Sequence, residues 1–107
     1  MPIANKIAHG LVEVDVIICG GGLAACVVAG RLAAADPSLE ILMDEGGENN
    51  RGNDTVLHPA LFPTHLMPKS KTAVCYQVKA SETLAGREYI LPTGGILGGG
   101  SSINIML

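Results

Sequence analysis

The first clear pattern along the chain is the run Val14 to Cys19, where β-branched residues follow one another with Asp15 as the only polar interruption. That run predicts a strand covered on both faces, as in a parallel sheet, with Asp15 at its exposed start. Gly20-Gly21-Gly22 breaks it, and Leu23 to Ala35 then reads as a mostly buried helix rich in Ala and Leu, with Arg31 its only charge. Asp36-Pro37-Ser38 stops the helix. Leu39 to Met43 is a second short apolar run ending at Asp44-Glu45-Gly46-Gly47. Strand, helix and strand with such short links predict one right-handed βαβ unit.

The remainder is harder to read. Residues 1–13 have no period and are predicted to be a loose lead-in, whereas 46–55, GGENNRGNDT, carry turn formers and predict a surface loop or excursion. Between Val56 and Val78 three X-Pro steps, His58-Pro59, Phe62-Pro63 and Met67-Pro68, predict loops and short pieces. Glu88 to Leu91 reads as a short strand. Gly94 to Gly100 holds five glycines in seven positions, and an apolar pattern resumes from Ser101 to Leu107.

Composition narrows the classes. Apolar residues make up 48% and charged ones 16% of 107 residues, which excludes a disordered tail. The net charge of -3, without a Lys/Arg cluster, supplies no footprint for nucleic acid. The uncharged run Val16 to Gly30 is shorter than the roughly 18 to 20 residues of a membrane span. Its amino-side neighbours Glu13 and Asp15 are acidic where a secretory signal is basic, so no membrane partner is expected. Cys19, Cys26 and Cys75 are an odd set without a CxxC, which suggests neither disulfides nor zinc and favours a reduced, intracellular setting.

Gly20-Gly21-Gly22-Leu23-Ala24-Ala25 matches the pattern G-x-G-x-x-G/A between a strand and a helix. Gly20 allows the tight exit from the strand, Gly22 lets a pyrophosphate approach the backbone, and Ala25 takes the position of close helix packing. Leu23 and Ala24 begin the helix, whose free N–H groups and partial positive charge suit phosphates. Glu45, 25 residues after Gly20, is placed to accept hydrogen bonds from a ribose and disfavours a 2′-phosphate. Side chains alternate along a strand, so only one of Asp44 and Glu45 faces the ribose. Glu45 is preferred, and Asp44 takes that role if the strand ends one residue early. Taken alone, the second cluster reads as well as a flexible loop before a Ser-capped helix as it does as backbone open to close approach by a flat cofactor, with Ser101, Ser102 and Asn104 offering polar groups and a start cap.

DVIICGGGLAACVVAGRLAAADPSLEILMDEGGEN, HPALFPTHLMPKSKTA, LAGREYILPTGG and ILGGGSSIN together resemble the amino-terminal part of the glucose-methanol-choline oxidoreductases, and within them the fungal alcohol (methanol) oxidases. The resemblance runs from about Asp15 onward, with Leu97 to Asn104 its most specific block. It implies an α/β fold, an incomplete Rossmann-like FAD/NAD(P)-binding domain made of the first βαβ unit plus a loop-rich extension. It also implies that FAD is the cofactor, with Gly98, Gly99, Gly100, Ser101 and Asn104 contacting or shaping its site. The family oxidises alcohols, passes hydride to FAD and returns the electrons to oxygen as hydrogen peroxide. Its His base and the His or Asn partner of that base belong to a carboxyl-terminal part. In this comparison Leu23 stands where the family commonly has Thr or Ser, Ala25 replaces the usual glycine, Asp44 interrupts an apolar strand, and Gly95 takes a place often basic or amide.

The expectation is therefore a partial FAD-binding domain over 14–107, an amino-terminal fragment or truncated product without the substrate domain and without turnover alone. A small alcohol is then a partner only of a longer form, and the resemblance allows a peroxisomal setting. The alternative is a stand-alone module that binds NAD or ADP, or another protein, without redox chemistry. His9, His58 and His65 match no family base and are expected on the surface or in loops, and Lys69 and Lys71 on a solvated face. Cys19 and Cys26 are expected to pack inertly. Oligomeric state has no signature in the sequence.

Overall fold

A computed structural model describes Ala4 and residues 13–104. Residues 1–3 and 5–12 of the lead-in, His9 among them, and residues 105–107 lie outside the described residues. The β-branched run forms β1, Val16–Cys19, and the second apolar run forms β2, Ile41–Asp44, two residues later than its sequence start. The strands pair in parallel, Val16 opposite Ile41 through Cys19 opposite Asp44. Asp15 ties their starts together, since its Oδ2 accepts the Glu40 amide at 2.8 Å while its own amide donates to the Glu40 carbonyl at 3.0 Å.

Between them runs α1, Leu23–Ala35, with the bounds that the composition predicts. Its end is set by Asp36, whose N–H donates to the Leu32 carbonyl and whose Oδ1 accepts the Ser38 amide at 3.0 Å and the Ser38 hydroxyl at 2.6 Å. Those two bonds, the hydroxyl first, hold the exposed Asp36 carboxyl below the usual aspartate range.

Burial departs from expectation. Ile17 in β1 is 62% exposed and Val27 and Val28 in α1 are about half exposed, Ala29 being the buried apolar residue of α1. A strand and a helix that are apolar all round need neighbours on every side, and one helix on a two-stranded sheet covers a single face.

The later chain is more ordered than its Pro-rich pattern predicts. Asn53 accepts the Thr55 amide at 3.0 Å and caps α2, Asp54–Leu57, which leads into a 3-10 helix, Pro59–Leu66. β3, Ala73–Val78, lies where loops were expected, and β4, Tyr89–Gly94, extends the expected strand by three residues at its carboxyl end. The two form an antiparallel hairpin, Ala73 opposite Gly94 and Val78 opposite Tyr89. Pro92 inside β4 hides the strand from sequence reading. It is tolerated because both strands of a two-stranded sheet are edges, so a missing donor breaks no inner ladder.

The small core gathers at the second glycine cluster, where Ile96 is 1% exposed and Ile103 is buried. No helix among the described residues is long and apolar enough to cross a membrane.

Candidate functional site

β1 hands over to α1 through three glycines with different tasks. Gly20 has φ +93°, a conformation costly for other residues, and donates its N–H to the Asp44 carbonyl at 2.7 Å. Gly21 is buried. Its N–H donates to Glu45 Oε2 and its carbonyl accepts the Gly98 amide at 2.7 Å. A Cβ at Gly21 would lie 2.6 Å from Leu97 Cδ1 and 3.1 Å from Glu45 Oε2, so the unspecified position of the pattern is the most crowded one. Gly22 is the helix N-cap and brings no side chain to the helix end. The first helical bond runs from the Cys26 amide to the Gly22 carbonyl at 3.0 Å. The amides of Leu23, Ala24 and Ala25 therefore lack intrahelical partners, and no acid stands in the first turn to answer the dipole. A Cβ at Gly20 or Gly22 would meet nothing within 4 Å, so this rim of the turn is open.

Of the two neighbouring acids, Asp44 is the last residue of β2 and exposed, while Glu45 is half-buried and faces the glycine turn. Glu45 Oε2 takes the Gly21 amide and Oε1 the Gly47 amide at 2.7 Å. A carboxylate offers about four lone-pair positions, so each oxygen keeps one for a further donor.

The second glycine cluster lies directly on the first. Gly98 forms a single parallel bridge with Gly22, and a Cβ at Gly99 would sit 3.2 Å from Gly22 Cα. Leu97 to Ser102 turns sharply because Gly98 has φ +88° and leads into a 3-10 helix, Gly99–Ile103. The helix that Ser101, Ser102 and Asn104 were expected to cap would extend into residues 105–107, outside the described residues. Ser101 and Ser102 are themselves inside the 3-10 helix Gly99–Ile103. Their hydroxyls donate backward, Ser101 to the Gly98 carbonyl at 2.7 Å and Ser102 to the Leu97 carbonyl at 2.6 Å. Gly100 and Ser101 are exposed, and Asn104 follows in extended conformation at the surface.

Sequence reasoning missed the strap that holds this cluster. Residues 47–50 were expected in a surface excursion, yet Glu48 bridges Ile96 in parallel and accepts the Leu97 amide at 3.0 Å. Gly47 lies so near Gly95 that a Cβ would come within 2.3 Å of the Gly95 carbonyl oxygen. Asn50 Nδ2 donates to Ser102 Oγ at 2.9 Å. The signal was only two small residues and an Asn at a turn, a pattern shared with ordinary loops.

The other polar groups stand apart from these bonds. His65, expected on the surface or in a loop, lies in the 3-10 helix Pro59–Leu66 and is 2% exposed, with Nδ1 2.6 Å from Thr72 Oγ1 and the Phe62 ring edge-on. The turn over residues 67–70 brings Thr72 back onto it, with Ser70 Oγ 2.9 Å from the same hydroxyl. His58 is exposed. Lys71 lies on a solvated face as expected, 3.3 Å from Glu48. All three cysteines are exposed, against the packing expected for Cys19 and Cys26, because the same uncovered faces of β1 and α1 carry them.

No protein-family model matches the chain. Individual proteins do. It is 50% identical over 95 residues to the alcohol oxidase of Candida boidinii, covering 89% of this chain and 14% of that enzyme. Its structure is similar to pyridoxine 4-oxidase from Mesorbium loti, with TM-score 0.72 and 30% identity over 88% of this chain and 18% of that one. It is also similar to the formate oxidase of Aspergillus oryzae, known from a study of its FAD modification, with TM-score 0.64 and 31% identity over 85% of this chain and 16% of that one. The chain thus spans about one seventh of the curated relative. On these likenesses, through the amino-terminal region its alcohol oxidase relatives share with it, the chain belongs to the glucose-methanol-choline oxidoreductases.

Proposed function

We propose that residues 14–107 form the amino-terminal part of an incomplete Rossmann-like domain that binds FAD in an oxidoreductase acting on the CH–OH group of alcohols, with oxygen as acceptor. The observation that carries this reading is the meeting of two glycine clusters nearly 80 residues apart, Gly98 on Gly21 and Gly22, beside Glu45 at the open end of α1. The residues present fit the cofactor. Gly20 and Gly22 leave open backbone where a pyrophosphate would approach, and Leu23 and Ala24 offer amides to it. Glu45 keeps acceptor positions for ribose hydroxyls, Gly98 and Gly99 border the same turn from the other side, and Gly100, Ser101 and Asn104 are the further flavin contacts that the family resemblance implies. FAD, when bound, supplies the acceptor for hydride from the alcohol. The chain's own residues bind and orient it.

None of the described histidines bonds to a residue of this site: His65 is engaged with Thr72 and His58 lies in the loop before Pro59. A group able to take the alcohol proton is therefore not supplied by them, and the chain alone is expected to bind FAD without turnover. The family reading extends to an intracellular, peroxisomal setting. Titrating the purified chain with FAD, followed by flavin fluorescence, and assaying alcohol-dependent peroxide tests the proposal. Binding of FAD without peroxide is expected, whereas tighter binding of NAD or ADP than of FAD overturns the cofactor assignment, and robust peroxide formation overturns the lack of turnover.

A further inference from the structure

We infer that Asn50 is a positioning residue, a clasp whose side-chain amide holds the second glycine cluster against the first through Ser102. The direction of the bonds is fixed by counting protons. Ser102 has one hydroxyl proton, and it goes to the Leu97 carbonyl at 2.6 Å. Whatever faces the remaining lone pairs of Ser102 Oγ must donate, and the Asn50 amide nitrogen does so at 2.9 Å.

The pair stands over the backbone of Gly98: a Cβ there would come within 2.2 Å of Ser102 Oγ and 3.3 Å of Asn50 Nδ2. Gly98 is the residue whose N–H reaches the Gly21 carbonyl and which bridges Gly22. A continuous path therefore runs from Asn50 through Ser102 and the Leu97–Gly98 peptide to the turn at the start of α1. Its loop end is anchored too, since the Asn50 carbonyl accepts the Asn53 amide at 3.3 Å and Glu48 accepts the Leu97 amide. Asn50 is half-buried and separated from Ser102 by 52 positions, so the bond closes a long loop at the place where both clusters must keep register.

The inference deepens the FAD reading and rests on it for its consequence, but its geometry can be tested without cofactor. Amide hydrogen exchange is measured on the full chain and on Asn50→Ala, Ser102→Ala and the double variant, and FAD titrations are run in parallel. Exchange at the Gly98 amide is expected to quicken in both single variants while α1 keeps its protection. FAD binding is expected to weaken about fivefold in each, the scale of one net hydrogen bond, and no further in the double variant. Unchanged Gly98 exchange, protection lost equally across β1 and α1, or losses of affinity that add in the double variant each overturn the clasp. If the unaltered chain binds no FAD, the cofactor reading fails, and Gly98 exchange alone still decides the clasp. Ser102→Ala attacks the same bond from the other side and decides the matter should Asn50→Ala not fold.

Discussion

At the scale of single residues, Glu45 carries more than its position at a strand end suggests. It was legible as an acid 25 residues after Gly20, and spacing assigned it to a ribose. The structure gives it two backbone amides, Gly21 and Gly47, which belong to the folded turn with or without a ligand. Glu45→Gln keeps one acceptor and turns an NH2 group toward the other amide. Hydrogen bonds to a charged group are worth roughly 1.5–3 kcal/mol, so a loss on the order of 1–2 kcal/mol is expected in a urea melt, together with weaker FAD binding. Spacing could not show why Gly21 must be glycine, because crowding by Leu97 and Glu45 is a property of packing between distant segments. Leu23 offers the opposite case. It is 62% exposed at the first position of α1, where the family commonly carries a hydroxyl. Leu23→Thr adds a donor at the phosphate edge at little packing cost, and a gain of about 1 kcal/mol, or about fivefold in FAD affinity, is expected by fluorescence titration.

At the scale of elements, the unit β1–α1–β2 was readable because each piece has a local cause: a β-branched run, a glycine stop, an Ala/Leu-rich stretch and an Asp-Pro-Ser end. The bounds of α1 agree with that reading residue for residue. The hairpin β3–β4 was not readable, since its strands find each other across ten residues and Pro92 argues locally against a strand. Local causes also predict how α1 ends. The Asp36 carboxylate accepts the hydroxyl and amide of Ser38, which lowers its pKa. A group whose folded pKa is depressed contributes stability above its unfolded pKa and loses it as pH falls through the folded value. The turn after α1 is therefore expected to stay closed until the pH drops below the ordinary aspartate range. A carboxyl titration by NMR checks this, and Ser38→Ala is expected to move the Asp36 midpoint up, since the hydroxyl bond is the larger cause.

At the scale of the molecule, the burial pattern is the main departure from the sequence reading, and it has a measurable consequence. The chain exposes 8267 Å², whereas a compact domain of 11.0 kDa exposes about 5,600 Å². Its radius of gyration is 16.9 Å, against about 13 Å for a compact chain of 100 residues. Apolar side chains on β1, α1 and the hairpin, among them Ile17, Val27, Tyr76 and Ile90, make up part of the excess. Hydrophobic burial scales with area removed from water, so these faces add little to stability while the backbone ordering cost is met in full. The purified chain is thus expected to bind an apolar dye such as ANS and to unfold with a shallower urea dependence than a compact domain of its length. On the proposed function, FAD bound at the turn where the two glycine clusters meet, a contact that exists only in the folded state, would shift the equilibrium by linkage. At a hundredfold excess over Kd the gain is about 2.7 kcal/mol, large against a marginal fold. The urea midpoint should rise with FAD concentration while ANS binding to the outer faces persists, because the cofactor covers the glycine site and not Ile17 or Ile90. A rise in midpoint with complete loss of ANS binding would mean that FAD reorganises the whole chain, and no rise would mean that the two clusters do not form a cofactor site in this chain.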